Sequence, residues 1–459
     1  MTVRTGEPLE TSSLGEEVSR LLKLAWPVVL GQCGLTGLNL VDTVFAGKAG
    51  EHALAAVSLG NVTSLSAMML GFGLLSGFDP FFSQAHGANN RDASARALYR
   101  ALFFAVILAA PLILLHAQIA PLMVLLKQPA ETIPLAASYC AALAVGVLPV
   151  LLFSALAQFL QGLGEMRAPM IAILCANVVN VIFDAVLILG WEDAGIPAMG
   201  ALGCGIATAV VQWGMLFFLL AIAWKKLSAY PFPRTGQPVF DPKMLMSMLR
   251  VGAPVSLQRA LEAWAFSSLG VMMGMLGERE LAAQSVAINI VSFTFMIPFG
   301  IGAAAATRVG NLVGAGRPWR TTAWLAVVFS VAWMSMMAVI FTATGDNIAS
   351  IFIEDAAVVA TVGVVMPVAA AFQIFDGVQA SAFGVLRGAG DTRWPAMINL
   401  LGYWVIGIPL GYWFGVHLYQ DPRYVWGGVA VALALISALV VARMVWVMRR
   451  GATVVQSEG

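Results

Sequence analysis

The sequence predicts an all-α polytopic membrane protein, with twelve transmembrane helices in two pseudo-symmetric six-helix bundles around a central cleft. Three observations predict it. First, 60% of the 459 residues are hydrophobic and 11% are charged, with a mean hydropathy of +0.85; a soluble domain has roughly 45–50% apolar and about 25% charged residues. Second, apolar runs recur twelve times, each near the roughly 20 residues that cross a hydrocarbon core. Third, motifs of the first half return in the second at a nearly constant offset. Backbone polar groups must satisfy themselves in lipid, which makes each run a helix. Period-2 alternation is absent, which excludes a β-barrel.

The chain opens on a polar stretch carrying Glu7, Glu10, Glu16 and Glu17, so a cleavable signal peptide is not expected. Residues 1–22 are read as a cytoplasmic segment. Spans follow at about 23–46, 54–80, 96–120, 134–158, 168–190 and 200–224, a first lobe over 23–224. A polar linker occupies 225–249. The second lobe, 250–448, holds spans near 250–277, 281–306, 321–343, 357–385, 395–416 and 425–447, and 449–459 form a cytoplasmic tail. With both termini cytoplasmic, twenty basic residues fall inside, among them Arg4, Arg234, Arg250 and Arg393, and four outside (Lys48, Lys127, Arg279 and Arg423). That asymmetry supports the twelve-span count and a multi-pass protein of the cell inner membrane.

The repeat is specific. Leu54-Ala55-Ala56-Val57-Ser58 returns as Leu281-Ala282-Ala283-Gln284-Ser285, Pro27 as Pro254, and Gly87-Ala88 as Gly314-Ala315, each 227 residues on. Gly162-Leu163-Gly164-Glu165-Met166-Arg167-Ala168-Pro169 returns as Gly388-Ala389-Gly390-Asp391-Thr392-Arg393-Trp394-Pro395 at offset 226, a shared G-x-G-[DE]-x-R-x-P. Six spans separate equivalent positions, so the halves are parallel repeats about an axis along the membrane normal, an arrangement of transporters. Pro27 and Pro254 occupy equivalent places in spans 1 and 7, where a kink would bend the cleft wall.

An ionisable group at membrane depth costs roughly 2.5–3.5 kcal/mol on insertion scales and asks for a reason. Asp42 lies in span 1. Asn177, Asn180 and Asp184 lie on one face of span 5 at i, i+3 and i+7. Thr208 in span 6 and Tyr139 in span 4 supply further oxygens. Two carboxylates with amide and hydroxyl oxygens suit an alkali cation such as Na⁺, or a carboxyl pair holding a proton; interhelical hydrogen bonding alone is the alternative. In the second half, Arg259 and Glu262 sit at i, i+3 on span 7, where they either neutralise each other or serve ion or substrate. Asp376 and Gln379 lie on span 10, and Asp376 has no local partner. Asp79, near the end of span 2, reads as gate, helix end or packing.

Other functions lack their signatures. Gly47-Lys48 is not part of a phosphate-cradling loop. Cys33, Cys140, Cys175 and Cys204 show no paired spacing, and His52, His86, His116 and His417 are scattered without a metal motif. Neither an enzyme nor a resident cofactor is expected, and a charge of +1 suggests no nucleic-acid partner.

Taken together, these residues resemble the multidrug and toxic compound extrusion (MATE) family, in its NorM-like group, from about Leu21 to Arg450. The resemblance rests on Pro27 through Val41-Asp42-Thr43-Val44-Phe45-Ala46-Gly47, on Gln84-Ala85-His86-Gly87-Ala88 and on the paired G-x-G-[DE]-x-R-x-P loops. Leu261-Glu262-Ala263-Trp264 and Tyr403 through Tyr412 complete it. It implies an antiporter that exports small organic, cationic or polyaromatic compounds in exchange for inward H⁺ or Na⁺, by alternating access of two lobes; the working unit is expected to be a monomer. It also implies a first-lobe cation site at Asp42, Asn180, Asp184 and Thr208, with Tyr139 nearby, and a second-lobe acidic pair, Glu262 and Asp376. Where NorM-like members often carry tyrosine one turn before the span-10 aspartate, this chain has Phe372, and Asp79 looks more like eukaryotic, proton-coupled members. The coupling ion is open between the two. The rival reading is a flippase for a lipid-linked headgroup, which would want more cationic residues in the cleft than Arg259.

Overall fold

Twelve long helices are formed among the described residues. The computed structural model describes residues 13–455 apart from 234–237, 240 and 354; Arg4 and Arg234, and parts of the 1–22, 225–249 and 449–459 segments, lie outside the described residues. The first lobe comprises α1 (Leu14–Lys48), α2 (Glu51–Gly87), α3 (Arg91–Ala117), α4 (Ile133–Gly162), α5 (Arg167–Ile188) and α6 (Gly200–Leu227). The second comprises α7 (Pro242–Leu276), α8 (Glu278–Gly314), α9 (Arg320–Phe352), α10 (Ala356–Gly388), α11 (Arg393–Leu418) and α12 (Pro422–Arg450). Eleven of these are long and apolar enough to cross a membrane by length and composition. The exception, α7, carries Arg250, Arg259 and Glu262, and these lower its mean hydropathy.

Helix starts extend beyond the apolar runs because polar caps, invisible to hydropathy, nucleate them. α1 begins at Leu14 instead of 23: the Ser13 hydroxyl accepts from the Glu16 amide at 3.3 Å. α7 begins at Pro242, inside the expected linker, where an Asp241 carboxylate oxygen accepts from the Lys243 amide at 2.9 Å. α12 runs on to Arg450. α10 and α12 start in the same way, on Asp355 and Asp421. α11 is wound unusually, with wide, π-helical turns over 400–407 and 411–418 on either side of Pro409.

Each lobe has its own apolar core, and each core takes in side chains from the other lobe. Leu21 of α1 is buried in the second-lobe cluster with Val309, Val385 and Leu386. Met248 of α7, its counterpart 227 residues on, is buried in the first-lobe cluster with Phe82, Leu98 and Leu219. α1 and α7 therefore cross between lobes at the end of the molecule that carries both termini.

The terminal end is sewn shut by a pseudo-symmetric set of contacts. The Gln84 amide donates to the Gly388 carbonyl at 3.1 Å, while Asn311, with its amide oriented to suit its neighbours, donates to the Gly162 carbonyl at 3.1 Å and to the Ser83 carbonyl at 2.7 Å. Gly162 and Gly388 are the first glycines of the repeated loops. A side chain at Gly162 would strike Phe82 and Ser83, and one at Gly388 the Ala306 carbonyl. The second glycines, Gly164 and Gly390, adopt φ of +79° and +81°, which end α4 and α10. The acidic residue that follows pairs with a base in the C-terminal part of its lobe's last helix, Glu165 with Lys226 and Asp391 with Arg443.

Toward the other end the lobes part. α1 and α8 touch where Gly300 meets Ala25 and Val29, and where the Cys33 thiol lies 3.5 Å from Met296. Beyond that, Thr36, Asn39 and Thr43 on α1 and Ser285, Asn289 and Ser292 on α8 are exposed. On the opposite wall, α2 and α7 meet at Gly73, Gly77, Gly252 and Ser256, the Ser256 hydroxyl donating to the Leu70 carbonyl at 2.8 Å. Ser66 and Ser267 beyond it are exposed. Polar stripes at membrane depth face a wet cavity, not lipid, so the gap is a cleft open opposite the termini.

The glycine contacts give a direct test. A methyl at Gly384 would land on the Gly302 carbonyl where α10 crosses α8, whereas one at Gly427 meets open space. Gly384→Ala should cost about 1–3 kcal/mol and lower the thermal midpoint in detergent, while Gly427→Ala should leave it unchanged or slightly raised.

Candidate functional site

In the first lobe the chain brings α1, α5 and α6 together around Asp42. The Asn180 amide donates to one Asp42 oxygen at 3.0 Å and the Thr208 hydroxyl to the other at 3.0 Å. The same Thr208 hydroxyl lies 2.9 Å from the Cys204 carbonyl, so its one proton is shared between the two acceptors. Asp184, one turn beyond Asn180, is fully buried and faces the Asp42 carboxyl group directly. Both Asp184 oxygens and the Asn180 carbonyl oxygen find no donor among the described residues. Oxygens of Asp42 and Asp184 and the Cys204 sulfur lie within 4.8 Å of one another. Three acceptors without donors, beside a second carboxyl group, form a nest that a proton or a small cation would complete.

The other two first-lobe candidates lie around this nest in different ways. Tyr139 of α4 is buried against Gly60 of α2 and Gly205 of α6, beside Cys140. Asn177 is turned to the helix interface: its amide donates to the Gly34 and Ile173 carbonyls, both at 2.9 Å, so it clasps α5 to α1. Sharing a helix face with Asp184 does not put it beside Asp42, because Gly34 stands two turns before Asp42. Cys204, which shows no paired spacing in the sequence, joins the nest because α6 places it one turn before Thr208.

In the second lobe Asp376 is buried on α10, with one oxygen lacking a donor among the described residues. Glu262 of α7 is its acidic neighbour, and Glu262 itself lies beside Arg259 and Asn399. Arg259 stacks over Phe299 of α8 with 5.6 Å from guanidinium to ring centroid; no Arg259–Glu262 salt bridge forms among the described residues. Gln379 accepts from the Tyr403 hydroxyl at 3.3 Å, which ties α10 to α11. Phe372 packs at 5.3 Å on Trp426 and fills the apolar core. Gln373, unremarked in sequence, donates to the Thr294 hydroxyl at 2.7 Å; it and Gln379 flank Asp376 at i−3 and i+3.

Asp79 belongs to neither lobe's nest. It makes a salt bridge of 3.1 Å to Arg387 of α10, across the lobe boundary. A second bridge crosses the boundary at Glu17, whose oxygens receive the Arg308 guanidinium in a fork of two 2.8 Å bonds and the Thr322 hydroxyl at 2.6 Å. Sequence could not pair these groups, since their partners lie about three hundred residues away.

Two duplicated helical bundles that enclose carboxyl groups, meet tightly at one end and part around a polar cleft define a membrane transporter. The MatE family profile matches this chain twice, over residues 27–186 and 254–413, the same 227-residue displacement read from the repeat. Multidrug resistance protein PmpM of Pseudomonas aeruginosa is 31% identical over 446 residues, which cover 95% of this chain and 92% of that protein. A probable multidrug resistance protein NorM of Rhodopseudomonas palustris is 32% identical, with 95% and 93% covered. A crystal structure of a MATE protein in a bent conformation superposes with a TM-score of 0.86 at 18% identity, over 96% of this chain and 98% of that one. The chain belongs to the MatE family and is a multi-pass membrane protein.

The Asp79–Arg387 bridge can be tested by a double-mutant cycle on thermal stability. Arg387→Gln alone should destabilise by about 1–3 kcal/mol, and adding Asp79→Asn should recover part of that loss, with a coupling of about 0.5–3 kcal/mol. Additive effects would mean the two side chains do not interact.

Proposed function

We propose that the protein is a secondary active antiporter that exports small organic, cationic or polyaromatic compounds, in exchange for an inward-moving H⁺ or Na⁺. One observation carries the reading: Asp42 and Asp184 face each other at membrane depth, and the Asp184 oxygens have no donor among the described residues. Such a pair accepts a proton or a small cation far more readily than it stays bare. The names of PmpM and NorM support multidrug substrates.

On this reading the termini are cytoplasmic, the membrane is the cell inner membrane, the working unit is a monomer and the cleft faces outward. Drug leaves from the open cleft; H⁺ or Na⁺ then loads Asp42, Asp184, Asn180 and Thr208, with Tyr139 closing the far side. Loading favours closure of the outer mouth and release of the Glu17–Arg308 and Asp79–Arg387 bridges, so that the opposite mouth opens. Coupling requires that ion and drug prefer different conformations. Glu262 and Asp376 supply a second acidic locus for ion or for a cationic substrate. Arg259 and Arg387 are offset by Glu262 and Asp79, so the region lacks the positive surplus that a flippase would need for a phosphate-bearing headgroup.

Liposomes loaded with a fluorescent cationic substrate test the proposal. An imposed inward proton or Na⁺ gradient should accelerate efflux, and the ion whose gradient drives it is the coupling ion. Asp42→Asn should lower gradient-driven efflux at least about tenfold, equivalent to about 1.4 kcal/mol, with the protein still folded. Efflux that ignores both gradients, or survives Asp42→Asn intact, contradicts the proposal.

A further inference from the structure

A groove of about 440 Å³ opens at the terminal end of the second lobe, between α7, the Gly390–Thr392 turn with the start of α11, α12 and the C-terminal stretch at Thr453 and Val455. It is a constructed feature. The Thr392 hydroxyl donates to the Val251 carbonyl at 3.0 Å, and their sequence neighbours Arg393 and Arg250 both line the groove. Both arginines are exposed, and neither has a carboxylate partner among the described residues. The third arginine, Arg443, is neutralised by Asp391 at 2.6 Å and held between two rings, 4.8 Å from Trp394 and 4.0 Å from Trp446. Arg443 and Asp391 cancel, so among the described residues the groove keeps the two charges of Arg250 and Arg393.

We propose that this groove binds the phosphate of an anionic phospholipid. Two guanidinium groups lining one groove match a phosphodiester in charge and in hydrogen-bonding capacity. The position also fits: Trp394 and Trp446 are 47% and 41% exposed, the amphipathic rings that settle at the headgroup level of a membrane. From Trp394 an exposed apolar stripe continues along one face of α11 through Met397, Leu401 and Val405, leading from the groove toward mid-membrane. A phosphate with acyl chains uses both the charge and the stripe; a free phosphate uses only the charge.

The first lobe serves as an internal control. Lys23, Glu165 and Arg167 occupy the repeat positions of Arg250, Asp391 and Arg393, and Lys226 pairs with Glu165 as Arg443 does with Asp391. Ala168 stands where the second lobe has Trp394. Ordinary membrane topology explains basic residues in both lobes, but the arginine–tryptophan sandwich is built in one. The groove also borders the lobe junction, since the Val455 amide donates to Gln84 of the first lobe at 2.7 Å and Gln84 donates to the Thr453 carbonyl at 3.2 Å.

Native mass spectrometry of the full chain in neutral detergent tests the site without reference to transport. With equal concentrations of dioleoyl phosphatidylglycerol and dioleoyl phosphatidylcholine, one phosphatidylglycerol should survive activation that strips the rest. The Arg250→Gln/Arg393→Gln variant should retain it roughly tenfold less, the Arg250→Lys/Arg393→Lys variant should keep an intermediate share through charge alone, and Lys23→Gln/Arg167→Gln should be unaffected. Should the double glutamine variant fail to purify, Arg393→Gln alone gives the same comparison. Equal retention of the two lipids, unchanged retention in the glutamine variant, or displacement by inorganic phosphate overturns the proposal.

Discussion

A charge at membrane depth must be answered by another charge, by hydrogen bonds or by a mobile ion, and that constraint organises this molecule. At the terminal end the answers are side chains of the protein itself: Glu17 has Arg308, Asp79 has Arg387, Asp391 has Arg443 and Glu165 has Lys226. Deeper in each lobe they are incomplete. Asp42 has the Asn180 amide and the Thr208 hydroxyl, but the Asp184 oxygens and one Asp376 oxygen have no donor among the described residues. The paired acids join elements; the unsatisfied acids are the ones proposed to bind.

The paired set divides further by what it joins. Asp391–Arg443 and Glu165–Lys226 act within lobes and finish the loops that the repeat announces. Glu17–Arg308 and Asp79–Arg387 span the two lobes, beside backbones brought close by Gly73, Gly77, Gly252 and Gly300. Small residues permit this approach because lipid offers helices no hydrophobic gain for associating, and packing must supply the attraction. The exchange of Leu21 and Met248 between cores makes the junction part of both lobes. Closure at this end is a property of the duplicated fold, not of one latch.

Most of the architecture was legible in the sequence, because hydropathy and the 227-residue repeat are strong, long-range signals. Span ends were less legible: caps such as Ser13 and Asp241 are single polar residues that hydropathy averages away. Within the first-lobe nest, helical periodicity put Asn180 and Asp184 on one face, and the structure sets both beside Asp42. The same periodicity included Asn177, which two backbone carbonyls claim instead. Cys204 was passed over because pair spacing is the usual mark of a ligand cysteine, and here its neighbours come from α1 and α5. The partners of Glu17 and Asp79 were hidden for the same reason: cross-lobe pairing depends on how the bundles dock, which no local pattern encodes.

The central claim is that Asp42 and Asp184 share a proton or cation in the resting protein. Infrared difference spectroscopy on the purified protein measures this directly. The account predicts a protonated-carboxyl band that vanishes on raising pH or adding Na⁺ and is missing in Asp184→Asn. A wild-type spectrum identical to that of Asp184→Asn across pH and Na⁺ would contradict it.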